Sequence, residues 1–270
     1  MTEATLYSAV INLKRAKDRR EIQTQQFARL GLNVDFFPAC DMLDPAVQAQ
    51  AATMPDHGPW TIFYIQDKAC TLSHLAVLRA FLEGEATHCL VLEDDVLASH
   101  DIADWMGDLS WWPDDAEIVK IEAWQRKTGP VLLGDPATHL GRQVSRLFSK
   151  HQGGAGYLVS RAGAEKILGD PRVIDVPIDH LLFNPEGAAL ARELVVYQVW
   201  PALIQQGNAP ETEGSAPPRT AQGQNKIKRE LKRLALRLRR VPVEWTLRLN
   251  GRATPRLIAW QDQMNPAKAG

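Results

Sequence analysis

The chain has 270 residues, of which 45% are hydrophobic and 23% are charged, and its formal net charge is −1. These values exclude a disordered or collagen-like chain and are typical of a folded globular protein. The sequence has no run of 18 apolar residues and no basic N-terminus followed by an apolar core, so we expect neither a transmembrane helix nor a signal peptide. Cys40, Cys70 and Cys89 form no CxxC pair, so a zinc site is not expected. We expect buried free thiols in a cytoplasmic protein.

A buried strand at residues 7–12 and a helix at residues 18–30 are the first predicted elements. The strand ends in the polar Asn12, and basic residues that include Arg15 and Arg20 follow it. The end of a first strand before a helix is a common place for a nucleotide or phosphate. The glycine motifs of dinucleotide folds and of P-loops are absent. A solvated basic first turn of the helix is the alternative.

The strongest helical pattern covers residues 67–83, with Asp67 as a candidate cap. It follows a short strand predicted at 34–37 and a helix start predicted at Asp44, which precedes a proline. Within the long helix, Ser73 and His74 interrupt the apolar series. Adjacent side chains on a helix point about 100° apart, so they are not a nucleophile and its base. Spacing alone favours a structural histidine.

Three acids end the apolar run at residues 90–96, which is LVLEDDV. Apolar residues of this length predict a buried strand, and the acids Glu93, Asp94 and Asp95 then lie at its carboxyl end, where open α/β sheets bind ligands. Two carboxylates about 4 Å apart repel by roughly 4 kcal/mol at an effective dielectric near 20. Mg²⁺ or Mn²⁺, which prefer oxygen ligands, would relieve that repulsion. The alternative is a solvated acidic loop after an edge strand.

Strands and helices alternate over the first 200 residues. Further strands are predicted at 117–121, 156–159 and 195–199, and Ser160 is expected to cap a helix at 161–168. This alternation predicts an α/β fold with a mostly parallel central sheet covered by helices on both faces. Asp179 lies after this region and either caps a helix or acts as a general base in a cleft.

The C-terminal part of the chain differs from the rest in composition. Residues 207–224 are rich in Gly, Pro and Ser and predict a flexible connector. Residues 225–270 hold 12 Lys and Arg against 3 Asp and Glu, whereas the other 224 residues hold 19 against 29. Apolar residues recur every three or four positions up to Val241, which predicts a basic amphipathic helix. Such a helix suits an anionic membrane surface, or it packs on the acidic body. We expect no nucleic-acid partner, because aromatic residues are not interleaved with the cations.

Seven motifs occur in an order that identifies a family. They are VINLKRAKDRR (10–20), FFPACD (36–41), CTLSHLAVLR (70–79), LVLEDDV (90–96), GYLVSRAGAEKIL (156–168), PIDHLL (177–182) and WPALIQQ (200–206). Together they resemble glycosyltransferase family 25, the lipooligosaccharide galactosyltransferase group of bacteria. The resemblance covers residues 7–206. It implies a GT-A-like nucleotide-binding domain over residues 1–206, followed by the connector at 207–224 and the basic extension at 225–270.

The resemblance also implies roles for individual residues around a nucleotide. Asn12, Arg15 and Arg20 are expected to hold the nucleotide of the donor. Ser73 and His74 match the helix motif that lines the cleft, which replaces the structural interpretation of that pair.

The acidic residues receive the chemical roles. Glu93 and Asp95 are the expected metal ligands, and Asp95 is also expected to take part in catalysis through the metal. Asp94 is expected to contact the nucleotide. Asp179 is the first candidate for the base that takes the proton of the acceptor hydroxyl, and Glu122 is a distant second.

The function implied is a metal-dependent, inverting transfer of a hexose, typically galactose from UDP-galactose, to a lipooligosaccharide or other glycan acceptor. The cofactor would be Mn²⁺ or Mg²⁺. Residues 225–240 would hold the enzyme on an anionic membrane, as a peripheral protein on the inner face of the inner membrane. The competing class is a non-catalytic sugar-nucleotide or glycan-binding module with the same fold. A nucleotidyltransferase is disfavoured because the glycine-rich phosphate loop is absent.

Overall fold

A computed structural model describes residues 4–58, 62–124, 129–207 and 226–262 of the chain. In this described part the strands are β1 (Leu6–Asn12), β2 (Asp35–Pro38), β3 (His88–Glu93), β4 (Val96–Ala98), β5 (Ile118–Lys120), β6 (Glu122–Ala123), β7 (Val131–His139), β8 (Arg142–Leu147), β9 (Gly156–Ser160), β10 (Val196–Trp200), β11 (Ile204–Gln206) and β12 (Thr254–Arg256). The helices are α1 (Lys17–Leu30), α2 (Pro45–Ala52), α3 (Ile65–Glu83), α4 (Ile102–Gly107), α5 (Arg161–Gly169), α6 (Ile178–Phe183), α7 (Leu190–Glu193) and α8 (Lys226–Leu249). The connector predicted at 207–224 lies outside the described residues apart from Gly207.

A nine-stranded sheet is the centre of the described fold, in the order β12-β7-β8-β10-β5-β9-β3-β1-β2. The α/β class and the large sheet flanked by helices are confirmed. The expectation of a mostly parallel sheet is wrong, because only the pairs β1–β2, β1–β3 and β10–β5 are parallel and the other five are antiparallel. Strand β9 lies antiparallel between β3 and β5, and β8, β7 and β12 extend one side of the sheet as antiparallel neighbours.

The hairpin β7–β8 was not predicted from the sequence. Its turn residues Leu140 and Gly141 have φ values of 42° and 79°, and His139 pairs directly with Arg142. Two consecutive positive φ values are the geometry of a type I′ turn, which matches the twist of the two strands it joins. The hairpin adds antiparallel strands to a sheet whose three parallel pairs are β1–β2, β1–β3 and β10–β5.

Both faces of the sheet are covered, as expected. Alternate residues of β1 and β3 pack into two different apolar clusters: Ala9 and Val91 belong to one, and Val10 and Leu90 to the other. The first cluster includes the apolar side of α3, and the second includes Trp105 of α4. Burial of alternate side chains on opposite faces fixes the strand register, since a slip of one residue would exchange the two sets.

Several predicted helix boundaries are confirmed. Gly31 ends α1 in the left-handed conformation at φ 70°, and the Asp44 carboxylate accepts the Ala46 N–H at 2.8 Å at the start of α2. The Ser160 hydroxyl accepts the Gly163 N–H at 3.1 Å and caps α5. The predicted Asp67 cap is wrong, because α3 begins two residues earlier and Asp67 lies in its first turn.

A second, three-stranded sheet in the order β4-β11-β6 lies beside the acidic turn. In it, β11 pairs antiparallel with β4, and Gln206 is opposite Val96. Because Val96 directly follows Asp95, this register places the Gln206 side chain beside the acids. The small sheet thus connects the motif at 200–206 to the motif at 90–96.

The C-terminal region contains the predicted basic helix, α8, and then returns to the body. Strand β12 pairs antiparallel with β7, Trp260 forms a bridge with Ala202, and His100 contacts Asp262 at 2.7 Å. Among the helices of the described residues, none is both long and apolar enough to cross a bilayer.

Candidate active site

Two adjoining cavities open at the carboxyl ends of β1 and β3. The larger, of about 490 Å³, is lined by α3, the glycine loop before β9 and the start of α6. The smaller, of about 150 Å³, is lined by the end of β1, the segment after β2 and the three acids. Both cavities share Gln66, Cys70 and Glu93. The acids therefore lie in a cleft rather than on a solvated loop, with Glu93 at the junction of its two halves.

Asp94 is occupied by partners from β1 and α1. The amide of Asn12 donates to Oδ2 of Asp94 at 2.6 Å, and Nη1 of Arg19 donates to Oδ1 at 2.7 Å. Parallel pairing of β1 with β3 brings Asn12 and Asp94 to the same edge of the sheet. Burial raises the pKa of Asp94, although Arg19 and Asn12 act in the opposite direction. With both oxygens engaged, Asp94 fastens the acidic turn to the first strand and helix.

Asp95 has an oxygen without a partner. Its Oδ2 accepts a hydrogen bond from Nε2 of Gln206 at 3.1 Å, whereas its buried Oδ1 has no partner among the described residues. Burial, followed by the charges of Glu93 and Asp94, raises the pKa of Asp95 to about 7. A buried acceptor that is left unpaired costs about 1–3 kcal/mol, more when it is charged, so this oxygen is suited to a cation.

Glu93 lies between Asp95 and the long helix. Its Oε2 is 3.5 Å from the same Gln206 amide, and its Oε1 is 3.4 Å from Nε2 of His74. The Cys70 thiol is 3.7 Å from that oxygen. Burial acts to raise the pKa of Glu93, but the hydrogen bond and charge of His74 lower it overall. Gln206 therefore bridges the two acids that were expected to hold metal.

The predicted pair Ser73 and His74 lies on the cleft side of α3. Both line the smaller cavity. The Ser73 hydroxyl donates to the Ala69 carbonyl at 2.7 Å and accepts the Cys40 N–H at 2.8 Å. Nδ1 of His74 forms a hydrogen bond of 3.0 Å with the Tyr157 hydroxyl, which orients the ring toward Glu93. Ser73 thus joins α3 to the segment after β2, and His74 connects β9 to the acidic turn.

The cations near the nucleotide motif separate into two groups. Arg15 and Arg19 line the smaller cavity, and Arg15 forms an ion pair with Asp41. Arg20 is exposed, lies 4.8 Å from the centre of the Phe36 ring and does not belong to the described lining of either cavity. Because adjacent helix residues point about 100° apart, only one of Arg19 and Arg20 faces the cleft. The structure does not bring Arg20 to the site and brings Arg19 instead.

Asp179 lines the larger cavity, as Glu93 does. It is in the first turn of α6, whose N-cap is Pro177, so the interpretation of Asp179 as a helix cap is wrong. Its Oδ1 accepts the N–H of His180 at 2.9 Å. A Cβ on Gly154 would be 3.8 Å from the Cβ of Asp179, so the glycine loop packs directly beside this carboxylate.

A buried ion pair beneath the glycine loop was not predicted. Nζ of Lys120 is 2.8 Å from Oε2 of Glu122, and both side chains are fully buried. Lys120 also donates to the Gly153 carbonyl, and Glu122 accepts the Ala155 N–H at 3.1 Å. Burial raises the pKa of Glu122 despite Lys120. Glu122 thus supports the loop through Oε2 and does not belong to the described lining of either cavity, and its role as the second candidate base stays a prediction.

The conformation of Gly153 depends on this pair. Its φ is 90°, in the left-handed region, and an added Cβ would lie 2.2 Å from Oε1 of Glu122. Only glycine fits there. A signal for the buried ion pair is present in the sequence. Lys120 and Glu122 are two positions apart in an apolar stretch, and this spacing places both side chains on one face of a strand.

A family model described as "Glycosyltransferase family 25 (LPS biosynthesis protein)" matches residues 7–182. The chain is 29% identical over 209 residues to the lacto-N-neotetraose biosynthesis glycosyltransferase LgtB of Neisseria meningitidis serogroup A, covering 73% of each chain. It is 25% identical over 189 residues to a putative glycosyltransferase of Haemophilus influenzae, covering 68% of this chain and 65% of that one.

The chain resembles solved structures less closely than it resembles these sequence relatives. A glycosyltransferase involved in the glycosylation of the major capsid of PBCV-1 aligns with a TM-score of 0.38 and 8% identity, over 87% of this chain and 99% of that chain. A mannose-1-phosphate geranyltransferase from Thermus thermophilus aligns with a TM-score of 0.37 and 16% identity, over 75% and 74% of the two chains. At such scores the likeness carries no argument about function.

Proposed function

Because the chain belongs to glycosyltransferase family 25 and is a glycosyltransferase, we propose that it transfers a hexose, galactose, from a UDP-sugar to a lipooligosaccharide or other glycan acceptor, with a divalent cation and inversion at the anomeric carbon. The observation that carries this proposal is the position of two acids bridged by Gln206: Glu93 lies at the junction of the two cavities, and Asp95 lines the smaller one. One cavity is available for each substrate.

We assign the nucleotide to the smaller cavity. Arg15 and Arg19 line it and offer positive charge to a diphosphate. Asn12 and Arg19 also fix the acidic turn by holding Asp94. Asp94 therefore acts in this proposal by shaping the nucleotide side of the cleft, with its carboxylate bound to protein groups.

Glu93 and Asp95 are the residues that would hold Mn²⁺ or Mg²⁺. The unpartnered oxygen of Asp95 and the all-oxygen donor set fit a hard cation. A cation bound there would stabilise the negative charge of the leaving diphosphate as a Lewis acid. His74 holds Glu93 in place through the 3.4 Å contact, and the Gln206 amide holds Asp95.

We assign the acceptor to the larger cavity, where Asp179 is the base. In this step the acceptor oxygen forms a bond to the anomeric carbon while the bond from that carbon to the diphosphate oxygen breaks. The acceptor proton passes to Asp179, and the bonding electrons leave with the diphosphate. Attack from the face opposite the leaving group inverts the anomeric configuration, and no protein nucleophile is needed.

We extend the proposal to the membrane surface through α8. Six large apolar side chains on one side of this helix are 37–77% exposed: Leu231, Leu234, Leu238, Val241, Trp245 and Leu249. The half-buried side chains that include Leu236, Arg240 and Leu247 lie on the opposite side. Helical geometry places Lys232 and Arg239 on one flank of the apolar stripe and Arg237 and Arg248 on the other. A free apolar stripe between basic flanks is typical of a helix that lies in an anionic membrane surface.

The test of the main proposal is a donor screen. The protein is incubated with UDP-galactose, UDP-glucose or UDP-N-acetylglucosamine and a lipooligosaccharide acceptor, with Mn²⁺ or with a chelator, and released UDP and the new glycosidic linkage are measured. We expect UDP release from UDP-galactose that depends on both metal and acceptor, with an inverted linkage by NMR. Full turnover in the chelator would refute metal dependence, and a retained configuration would refute the single displacement.

A further inference from the structure

A third cavity, of about 80 Å³, lies apart from the cleft, between the body and α8. Three arginines line it from three different elements: Arg146 of β8, Arg192 of α7 and Arg240 of α8. Apolar side chains that include Leu182 and Phe183 of α6 complete its lining. No Asp or Glu belongs to the part of its lining that the structure describes. We call this space the arginine cavity.

The three guanidinium groups are held by backbone carbonyls. Nη2 of Arg240 donates to the Phe148 carbonyl at 3.1 Å, and Nη1 of Arg192 donates to the Pro185 carbonyl at 3.0 Å. Arg146 makes a long contact of 3.5 Å with the Leu194 carbonyl. These contacts direct three positive charges to the same small space without neutralising them.

Part of the hydrogen-bonding capacity of these arginines is unused. Nε of Arg146 and Nε of Arg240 are shielded from solvent and have no hydrogen-bond partner among the described residues. A carboxylate does approach Arg146: Asp115, at 3.6 Å from Nη1, has a side chain that is 64% exposed. Such an exposed, distant pair compensates little of the repulsion among three cations. Glu244, one helical turn after Arg240 on α8, also interacts electrostatically with that arginine, but no carboxylate belongs to the described lining of the cavity.

We propose that the arginine cavity binds a phosphate group. Arginine forks match the oxygens of phosphate and bind them through charge-assisted hydrogen bonds. A water molecule occupies about 30 Å³, so a cavity of about 80 Å³ has room for a group of phosphate size. A phosphate group also offers three oxygens to the three arginines, one more than a carboxylate does. The phosphate is carried by a lipid head group or by a free phosphate compound.

The site couples the body to the amphipathic helix. Arg240 is on the body-facing side of α8, whereas the exposed apolar stripe of that helix points away. A bound phosphate would therefore bridge β8, α7 and α8 and hold the helix against the body. This role is separate from transfer chemistry, so it can be tested without measuring turnover.

Inorganic phosphate is the probe for the first experiment. Thermal unfolding of the full chain is followed with increasing phosphate, with chloride adjusted to keep the ionic strength constant. We expect Tm to rise with phosphate, since a ligand that binds the native state stabilises it. Arg192→Gln is the decisive variant, because Arg192 is exposed and its side chain donates to a single backbone carbonyl, that of Pro185, so the substitution should leave the fold intact. Losing one of three charge-assisted partners should weaken phosphate binding about tenfold or more.

Arg240→Gln should weaken phosphate binding to a similar extent, and Arg239→Gln is the matched control. Arg239 is the neighbouring residue on the same helix, is exposed and does not line the arginine cavity. Circular dichroism checks that all three variants keep their helix content. A phosphate-dependent rise in Tm that is equal in Arg192→Gln and Arg239→Gln would overturn the proposal, as would the absence of any rise in the unmodified protein.

A second measurement distinguishes the two sources of phosphate. Binding is compared for phosphatidylcholine vesicles that contain either phosphatidic acid or phosphatidylserine at equal surface charge. A preference for phosphatidic acid that Arg192→Gln abolishes and inorganic phosphate competes away supports a lipid head group. Equal binding to both vesicles, together with the phosphate-dependent Tm, supports a free phosphate compound.

Discussion

The Gln206 amide donates to Oδ2 of Asp95 over 3.1 Å and thereby joins the end of β11 to the turn that follows β3. The two residues are 111 positions apart in sequence and meet because β11 pairs with β4. The acidic turn is consequently held from a second sheet as well as from β1. This support fixes Asp95 in the lining of the smaller cavity, with its other oxygen left without a partner among the described residues.

Replacing Asp95 by Asn should remove metal-dependent transfer while the protein stays folded. A metal ligand contributes several kcal/mol of transition-state stabilisation, and each 1.4 kcal/mol is about tenfold in rate, so we expect turnover to fall roughly 100-fold or more. UDP release at saturating Mn²⁺ measures this. Asp18→Asn, on the exposed side of α1, is the control and should keep its rate. Turnover of Asp95→Asn within twofold of the original would contradict the assigned metal site.

Replacing Asp179 by Asn should lower kcat by roughly 10²–10⁴-fold, the usual contribution of a general base. The KM for the donor should change little, because Asp179 lines the larger cavity and not the smaller one. Asp175→Asn, four positions earlier and exposed, should leave both constants unchanged. A large rise in donor KM with kcat preserved would instead make Asp179 a binding residue.

Breaking the buried pair of Lys120 and Glu122 should destabilise the fold. Lys120→Met leaves an uncompensated buried carboxylate, for which about 3–5 kcal/mol of unfolding free energy is the expected loss. Adding Glu122→Leu to that variant should recover part of the loss, since no lone charge then remains. Urea unfolding of both single variants and the double variant tests the coupling. Strictly additive losses would show that the two side chains act independently.

His151 should make the protein less stable in mild acid. Burial, followed by the charge of Lys120, lowers its pKa to about 3, so the folded protein keeps it neutral while an unfolded chain protonates it near pH 6.5. The unfolded state then binds more protons between about pH 6.5 and 3, and stability falls as the pH falls through that window.

The matched variant for this pH effect is His151→Asn, whose amide can replace the 2.7 Å hydrogen bond from Nδ1 to Gln198. Its Tm should decline less between pH 6.5 and 4 than that of the original protein. His100→Asn removes a histidine that is 64% exposed and should leave the slope unchanged. Identical slopes for all three proteins would remove His151 as the cause.

Replacing Leu234 and Leu238 by Ser should weaken binding to anionic vesicles. Burying a leucine side chain is worth about 1.5–3 kcal/mol when it starts fully exposed, and these two start 51% and 58% exposed, so we expect a loss of about tenfold or more for the pair. Val243→Ser is the control, because Val243 is 45% exposed but off the apolar stripe. Flotation with phosphatidylserine vesicles measures the difference. An equal loss in the control would mean that the stripe has no special role.

Local patterns in the sequence predicted the elements that have regular periodicity. The long helix α3, the strand before Glu93 and the caps at Asp44 and Ser160 were all recognisable because each depends on neighbours within a few residues. The contact between Asp94 and Asn12 was not predicted, but it results from the parallel pairing of β1 with β3. These are cases in which nearby residues or simple sheet geometry determine the outcome.

Other parts of the site depend on contacts between distant segments. Arg19 rather than Arg20 reaches the cleft because of the rotation of α1 on the sheet, which no local pattern sets. Lys120 looked like an ordinary strand residue until its partners Glu122 and Gly153 were known. The direction of β9 and the hairpin β7–β8 likewise depend on which strand edges meet in the folded chain.

The pairing of β12 with β7 has a consequence for how this protein can be shortened. Strand β7 is nine residues long, and β12 covers the outer edge of its first three residues, Val131 to Leu133. An uncovered strand edge offers free N–H and C=O groups to other chains and promotes self-association. A chain truncated before residue 254 would lose this cover, and its precipitation could be mistaken for altered lipid affinity. Single substitutions within α8 leave the last strand in place and avoid that confusion.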